Sequence, residues 1–107
     1  MAANLEFGKM LPKLETKLNN LDLERLSRET GFVKRIALKA NSFEFLMGFF
    51  IALSANCISY MNIAFCIGQL IDDTLTKMAI KKRINEGFVN LLQLILSLVL
   101  SDHLKWS

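Results

Sequence analysis

The chain has 107 residues, enough for one domain built around a single modest core. Hydrophobic residues make up 52% and charged residues 21%, a balance that forces a small domain to cover its apolar surface or to share it with a partner. Thirteen Lys and Arg against ten Asp and Glu leave a net charge of +3 and a pI near 9.0; this permits an anionic partner without demanding one, while two cysteines and one histidine are too few ligands for a zinc centre.

The first residues, MAANLEFGKMLPKLE, carry Glu6 and lack an apolar run, so they are not a secretory signal. Residues 1–20 are expected to form an N-terminal arm or short helix, about 5–18, with Gly8 and Pro12 as interruptions. A helical domain then spans 21–101. Its first helix covers about 22–30, where Leu23 and Leu26 share a face and Gly31 is placed to end the helix in the left-handed conformation. Asn41 and Glu44 have the spacing of a capping box, which predicts a helix from 41 or 42 through Phe45, Leu46, Phe49, Phe50 and Leu53, the expected centre of the core.

Another helix is expected from Ser59 to near Gly68. The acidic pair Asp72 and Asp73 suits the start of the next, over about 74–84, because carboxylates favour the positive end of a helix dipole. Asn85 and Glu86 restart the chain as a last helix to about residue 100, apolar nearly all round, which calls for a partner chain or a further domain to cover it. Residues 102–107 form a tail in which His103 and Trp106 are expected to be exposed. With one proline, no hairpin turn and apolar positions at helical spacing, the fold class is all-α: a compact bundle of five to six helices with a loose helix-turn-helix. Tyr60 and Met61 are expected in the core or in loop packing, and Met47 and Met78 as gap fillers.

Residues 45–71 hold no charge and are long enough to cross a bilayer. Against a span stand Ser54, Asn56, Ser59, Asn62 and Gln69, which interrupt the run, and basic residues at both ends, which give no positive-inside asymmetry. Two buried helices separated by a loop at 54–59 account for the run more economically. Cys57 and Cys66, without Cys-x-x-Cys spacing, are read as buried free thiols in a reducing compartment, hence a cytoplasmic protein.

Lys77, Lys81, Lys82 and Arg83 place four cations on one predicted helix with no acid among them, while Ile80 and Ile84 form an apolar pair elsewhere on it. Such a helix can lie against a phosphate backbone, its long cations releasing counterions and its apolar side holding it to its support. An ordinary solvated face is the plain alternative. Lys34 and Arg35, after Gly31, join the candidate DNA contacts. Ala64 and Gly68 have the four-residue spacing common in the first helix of a helix-turn-helix, although 69–73 lengthens the connection.

In order, the segments DLERLSRETGFVKR, NSFEFLMGFFIALS and TKMAIKKRINEGFVNLL resemble the N-terminal region of DDE transposases of the fourth insertion-sequence family. The residues that carry the resemblance are Leu26, Gly31, Phe32 and Arg35; Phe45 and Leu46; Lys77, Ala79, Arg83 and Ile84; and Leu91 and Leu92. The resemblance covers about 23–101. It implies a region that binds the element's terminal repeats, double-stranded DNA, or assists assembly as a homodimer or with full-length transposase.

In such proteins a separate ribonuclease-H-like domain brings three carboxylates onto two divalent metals. No strand pattern for that domain is present here, so the expected product is a truncated transposase fragment, not an enzyme, with no cofactor and no metal. Two other readings compete: a small membrane protein spanning at 45–71, and a helical interaction module dimerising through 88–100.

Overall fold

Five of the six described helices, the second to the sixth in chain order, start at a short polar side chain that accepts a backbone amide the helix leaves unpaired. A computed structural model describes residues 2–32, 40–56 and 58–105, with side chains over 9–32, 40–56 and 58–98. The described residues are all-helical: α1 (Ala2–Asn19), α2 (Leu23–Thr30), α3 (Ser42–Ser54), α4 (Tyr60–Ile71), α5 (Lys77–Arg83) and α6 (Glu86–Lys105). Residues 33–39, which include Lys34 and Arg35, lie outside them, as do Cys57, Trp106 and the side chain of His103.

Helix α2 begins at Asp22, whose carboxylate accepts the Arg25 amide at 3.2 Å, and ends at Gly31 with φ 79°. The Phe32 amide donates back to Ser27 O at 2.9 Å and the Gly31 amide to Arg28 O at 3.3 Å, the paired bonds of a Schellman turn. Asn41 and Glu44 form the expected capping box: the Glu44 amide donates to Asn41 Oδ1 at 2.9 Å and the Asn41 amide to Glu44 Oε1 at 3.0 Å. Ser59, Thr76 and Asn85 cap the later helices, accepting the Asn62, Ala79 and Phe88 amides at 3.2 Å each.

Three expectations are corrected. Helix α1 runs unbroken past Gly8 and Pro12 to Asn19; Leu14 and Leu18 are buried beyond the proline, and α1 packs on α3, so tertiary burial outweighs the cost of the missing proline N–H. Asp72 does not start a helix. It closes α4 in the left-handed region, φ 54°, with the Asp73 amide donating to Gly68 O at 3.1 Å; Asp is among the few residues that tolerate this conformation. Helix α6 is covered along Phe88, Leu91 and Ile95, which are buried, and packs on α2. It therefore has an inner face within the bundle, while Val89, Leu96 and Leu98 stay exposed.

The uncharged run 45–71 divides as expected into α3 and α4. No helix among the described residues is long and apolar enough to cross a membrane. Instead α3 lies centrally, packed on α1, α2 and α4. At the α3–α4 crossing Gly48 meets Ile67: a Cβ added to Gly48 would stand 2.3 Å from Ile67 Cγ1 and 2.9 Å from its backbone N and Cα. Only a residue without a side chain allows that approach.

Phe88, from the first turn of α6, inserts among Phe32, Phe45 and Phe49, with ring centroids at 5.4, 5.5 and 5.1 Å. These are edge-to-face or tilted arrangements that the aromatic quadrupole favours. The core also holds one polar contact. Ser27 and Ser42, both buried, share a 2.6 Å hydroxyl–hydroxyl bond between α2 and the start of α3. The Ser42 amide donates to Glu24 Oε1 at 3.3 Å. Among the described residues no buried side-chain N or O lacks a partner.

Candidate nucleic-acid interface

Helix α5 is seven residues long, too short to persist alone in water. It exists because Thr76 caps it and because Ile80, fully buried, fixes it to α4. That anchor determines which way its cations point. Lys77, Lys81 and Lys82 are exposed, and Arg83 is half-buried. None of the three lysines lies within ion-pair distance of a carboxylate among the described residues. Arg25 on α2 is different, sitting 3.1 Å from Glu29 and 3.8 Å from Asp22. Three neighbouring lysines therefore present their full charge to solvent from one short helix.

Position along the helix separates these lysines. Lys81, Lys82 and Arg83 occupy the last turn, where cations meet the negative end of the helix dipole and contribute about 0.3–1 kcal/mol each. Helix stability alone accounts for them. Lys77 stands at the first position, where the positive end of the dipole opposes a cation. It gains nothing for the helix there.

Lys77 also edges an open groove of about 550 Å³ whose other walls are mostly apolar: Phe49 from α3; Ile58, Tyr60, Met61 and Ile63 at the start of α4; and Ile84 after α5. The volume falls within the range of ligand-binding clefts. Exposed apolar residues continue from Ile58, just before α4, along one side of that helix. Ile58, Met61 and Phe65 are 49%, 68% and 64% exposed, and Met61 and Phe65 lie one turn apart on one face of α4.

The expected core or loop packing of Met61 and gap-filling of Met78 do not hold: Met78 is 55% exposed. Met47 is buried and Tyr60 half-buried. Ile63, Ala64 and Ile67 supply the buried side of α4, Tyr60, Cys66 and Ile71 pack partly against the core, and Met61, Phe65 and Leu70 are exposed. A signal was present in the spacing, since Ile58, Met61 and Phe65 lie apart from Ile63 and Ile67 on a helical projection.

In the region of the expected helix-turn-helix, α4 is followed by the connection 72–76 and by α5, which packs on α4. Gly68 fits the turn that follows α4. A Cβ on Gly68 would stand 2.5 Å from Asp73 O, so glycine there accommodates the carbonyl of the turn and not the following helix. Ala64 is buried. Lys34 and Arg35 lie outside the described residues, and Cys66 is half-buried. Among the described residues no three His, Cys, Asp or Glu side chains gather into a metal-holding group.

Comparison with known proteins finds no family whose model matches the chain, and no similar curated protein or solved structure.

Proposed function

We propose that the α4–α5 unit binds double-stranded DNA through the phosphate backbone, as the DNA-binding or assembly part of a transposase-like protein acting in the cytoplasm. The observation that carries the reading is the presentation of Lys77, Lys81 and Lys82, exposed and without carboxylate partners among the described residues, on a helix anchored by Ile80. Such contacts position a protein on the duplex and do not read its sequence.

The transposase origin rests on the order and spacing of the segments around Gly31, Phe45 and Lys77. In that reading cutting and joining of DNA belong to another domain, and this chain carries no catalytic residue. Preference for the terminal repeats of a mobile element over a scrambled duplex tests the origin.

Binding itself is tested by titrating a labelled duplex with the wild type and with K77A/K81A/K82A. The three positions are exposed, so circular dichroism should be unchanged while binding is lost. Unchanged affinity would remove α5 from the interface.

The exposed Val89 and Leu96, two turns apart on one side of α6 and 46% and 40% exposed, favour a second reading, a module that dimerises through 88–100. Sedimentation showing a monomer at all concentrations would dismiss it.

A further inference from the structure

Lys77 does not stand alone: the start of the exposed apolar side of α4 lies beside it. Ile58, Met61 and Lys77 line one groove, Phe65 continues the apolar line one turn along α4, and Lys81 continues the basic line one turn along α5. Met61 and Phe65 are each about two-thirds exposed and lie side by side one turn apart, and adjoining exposed apolar residues mark interaction sites where single ones do not. We propose that this combined face docks on the surface of an anionic lipid bilayer, with Met61, Phe65 and Ile58 entering the boundary between headgroups and acyl chains and Lys77, Lys81 and Lys82 meeting the lipid phosphates.

The charge on the face selects this occupant. A second copy of the chain, meeting the same face across a two-fold axis, would bring two lysine clusters together. Duplex DNA satisfies the lysines but offers no apolar layer to Met61 and Phe65. An anionic bilayer supplies both layers in the required order, charge outside and hydrocarbon within, and apolar residues flanked by lysines are the signature of interfacial binding. No helix crosses the membrane in this arrangement, in keeping with the absence of a spanning helix among the described residues. Lipid and DNA would share the α5 lysines and exclude one another.

The test is sedimentation of the full chain with vesicles of equal parts phosphatidylglycerol and phosphatidylcholine, and with phosphatidylcholine alone. The expected result is binding to the anionic vesicles and little to the neutral ones. K77A/K81A/K82A should weaken it on the order of a hundredfold, and M61S/F65S by tenfold or more. All five side chains are exposed, so these variants are expected to fold, which circular dichroism checks.

M61S/F65S should leave duplex DNA binding intact, and this separates the lipid proposal from the DNA reading. Absence of binding to anionic vesicles at low salt would overturn the proposal, as would binding that M61S/F65S leaves unchanged. A wild type that dimerises and becomes monomeric in M61S/F65S would place a second copy on the face and also overturn it.

Discussion

Replacing Gly48 with alanine sets two terms of opposite sign against each other. Gly48 lies inside α3, where alanine is favoured over glycine by about 1 kcal/mol on backbone entropy. Packing opposes the change. The new methyl would stand 2.3 Å from Ile67 Cγ1 and 2.9 Å from Ile67 N and Cα, against roughly 3.5–4.0 Å for comfortable carbon contacts. The γ carbon can rotate away, but the backbone of α4 cannot.

The two helices would have to part by roughly half an ångström or more, and overpacking of this kind costs about 1–3 kcal/mol. The expected net effect is therefore a loss between zero and about 2 kcal/mol, centred on about 1. Urea unfolding followed by far-ultraviolet circular dichroism measures it as a lower midpoint with an unchanged slope. A stability gain near 1 kcal/mol would mean that helix propensity acts alone, and would refute close contact at the α3–α4 crossing. Because α4 carries both the groove and its apolar face, loosening this crossing should also weaken binding by that face.

Phe88→Ala should cost about 3–5 kcal/mol in the same assay, since the ring is buried and meets Phe32, Phe45 and Phe49; a loss below 1 kcal/mol would place α6 elsewhere. Ser27→Ala and Ser42→Ala should each cost about 1–3 kcal/mol by stranding the buried partner hydroxyl, and the double variant clearly less than their sum. Strict additivity would show that the two hydroxyls do not bond. Gly31→Ala should cost about 1 kcal/mol or more, because its φ of 79° disfavours a side chain; no change would exclude the left-handed end of α2.

Helix starts were legible where one residue type has one common use. Asn41 with Glu44, Ser59, and Asn85 before Glu86 each marked a start, because a side-chain acceptor ahead of an apolar run answers the unpaired amides there. Gly31 marked an end for the corresponding reason. Asp72 misled because aspartate serves two ends of a helix, as an anion at the start and as a residue tolerant of the left-handed conformation at the finish. Only the path of the chain decides between them.

Pro12 misled in another way. Local propensity argues for a break, while the burial of Leu14 and Leu18 holds the helix together. The basic helix was legible as a cluster, but the meaning of each lysine was not. That Lys77 opposes the helix dipole while Lys81 and Lys82 comply with it follows from the Thr76 cap, which sets the first residue of α5. Met61 and Phe65 were hidden for a simpler reason. Helix α4 is apolar on several sides, and composition cannot say which side its neighbours will cover.

Duplex binding measured against salt concentration reaches the central proposal most directly. Three lysines neutralising phosphates correspond to a log–log slope of about −2.7, so affinity should fall roughly fortyfold between about 50 and 200 mM salt. Each lysine replaced with alanine should reduce the slope by about 0.9. A slope near zero, or one that the replacement of Lys77, Lys81 and Lys82 leaves unchanged, would contradict DNA binding through α5.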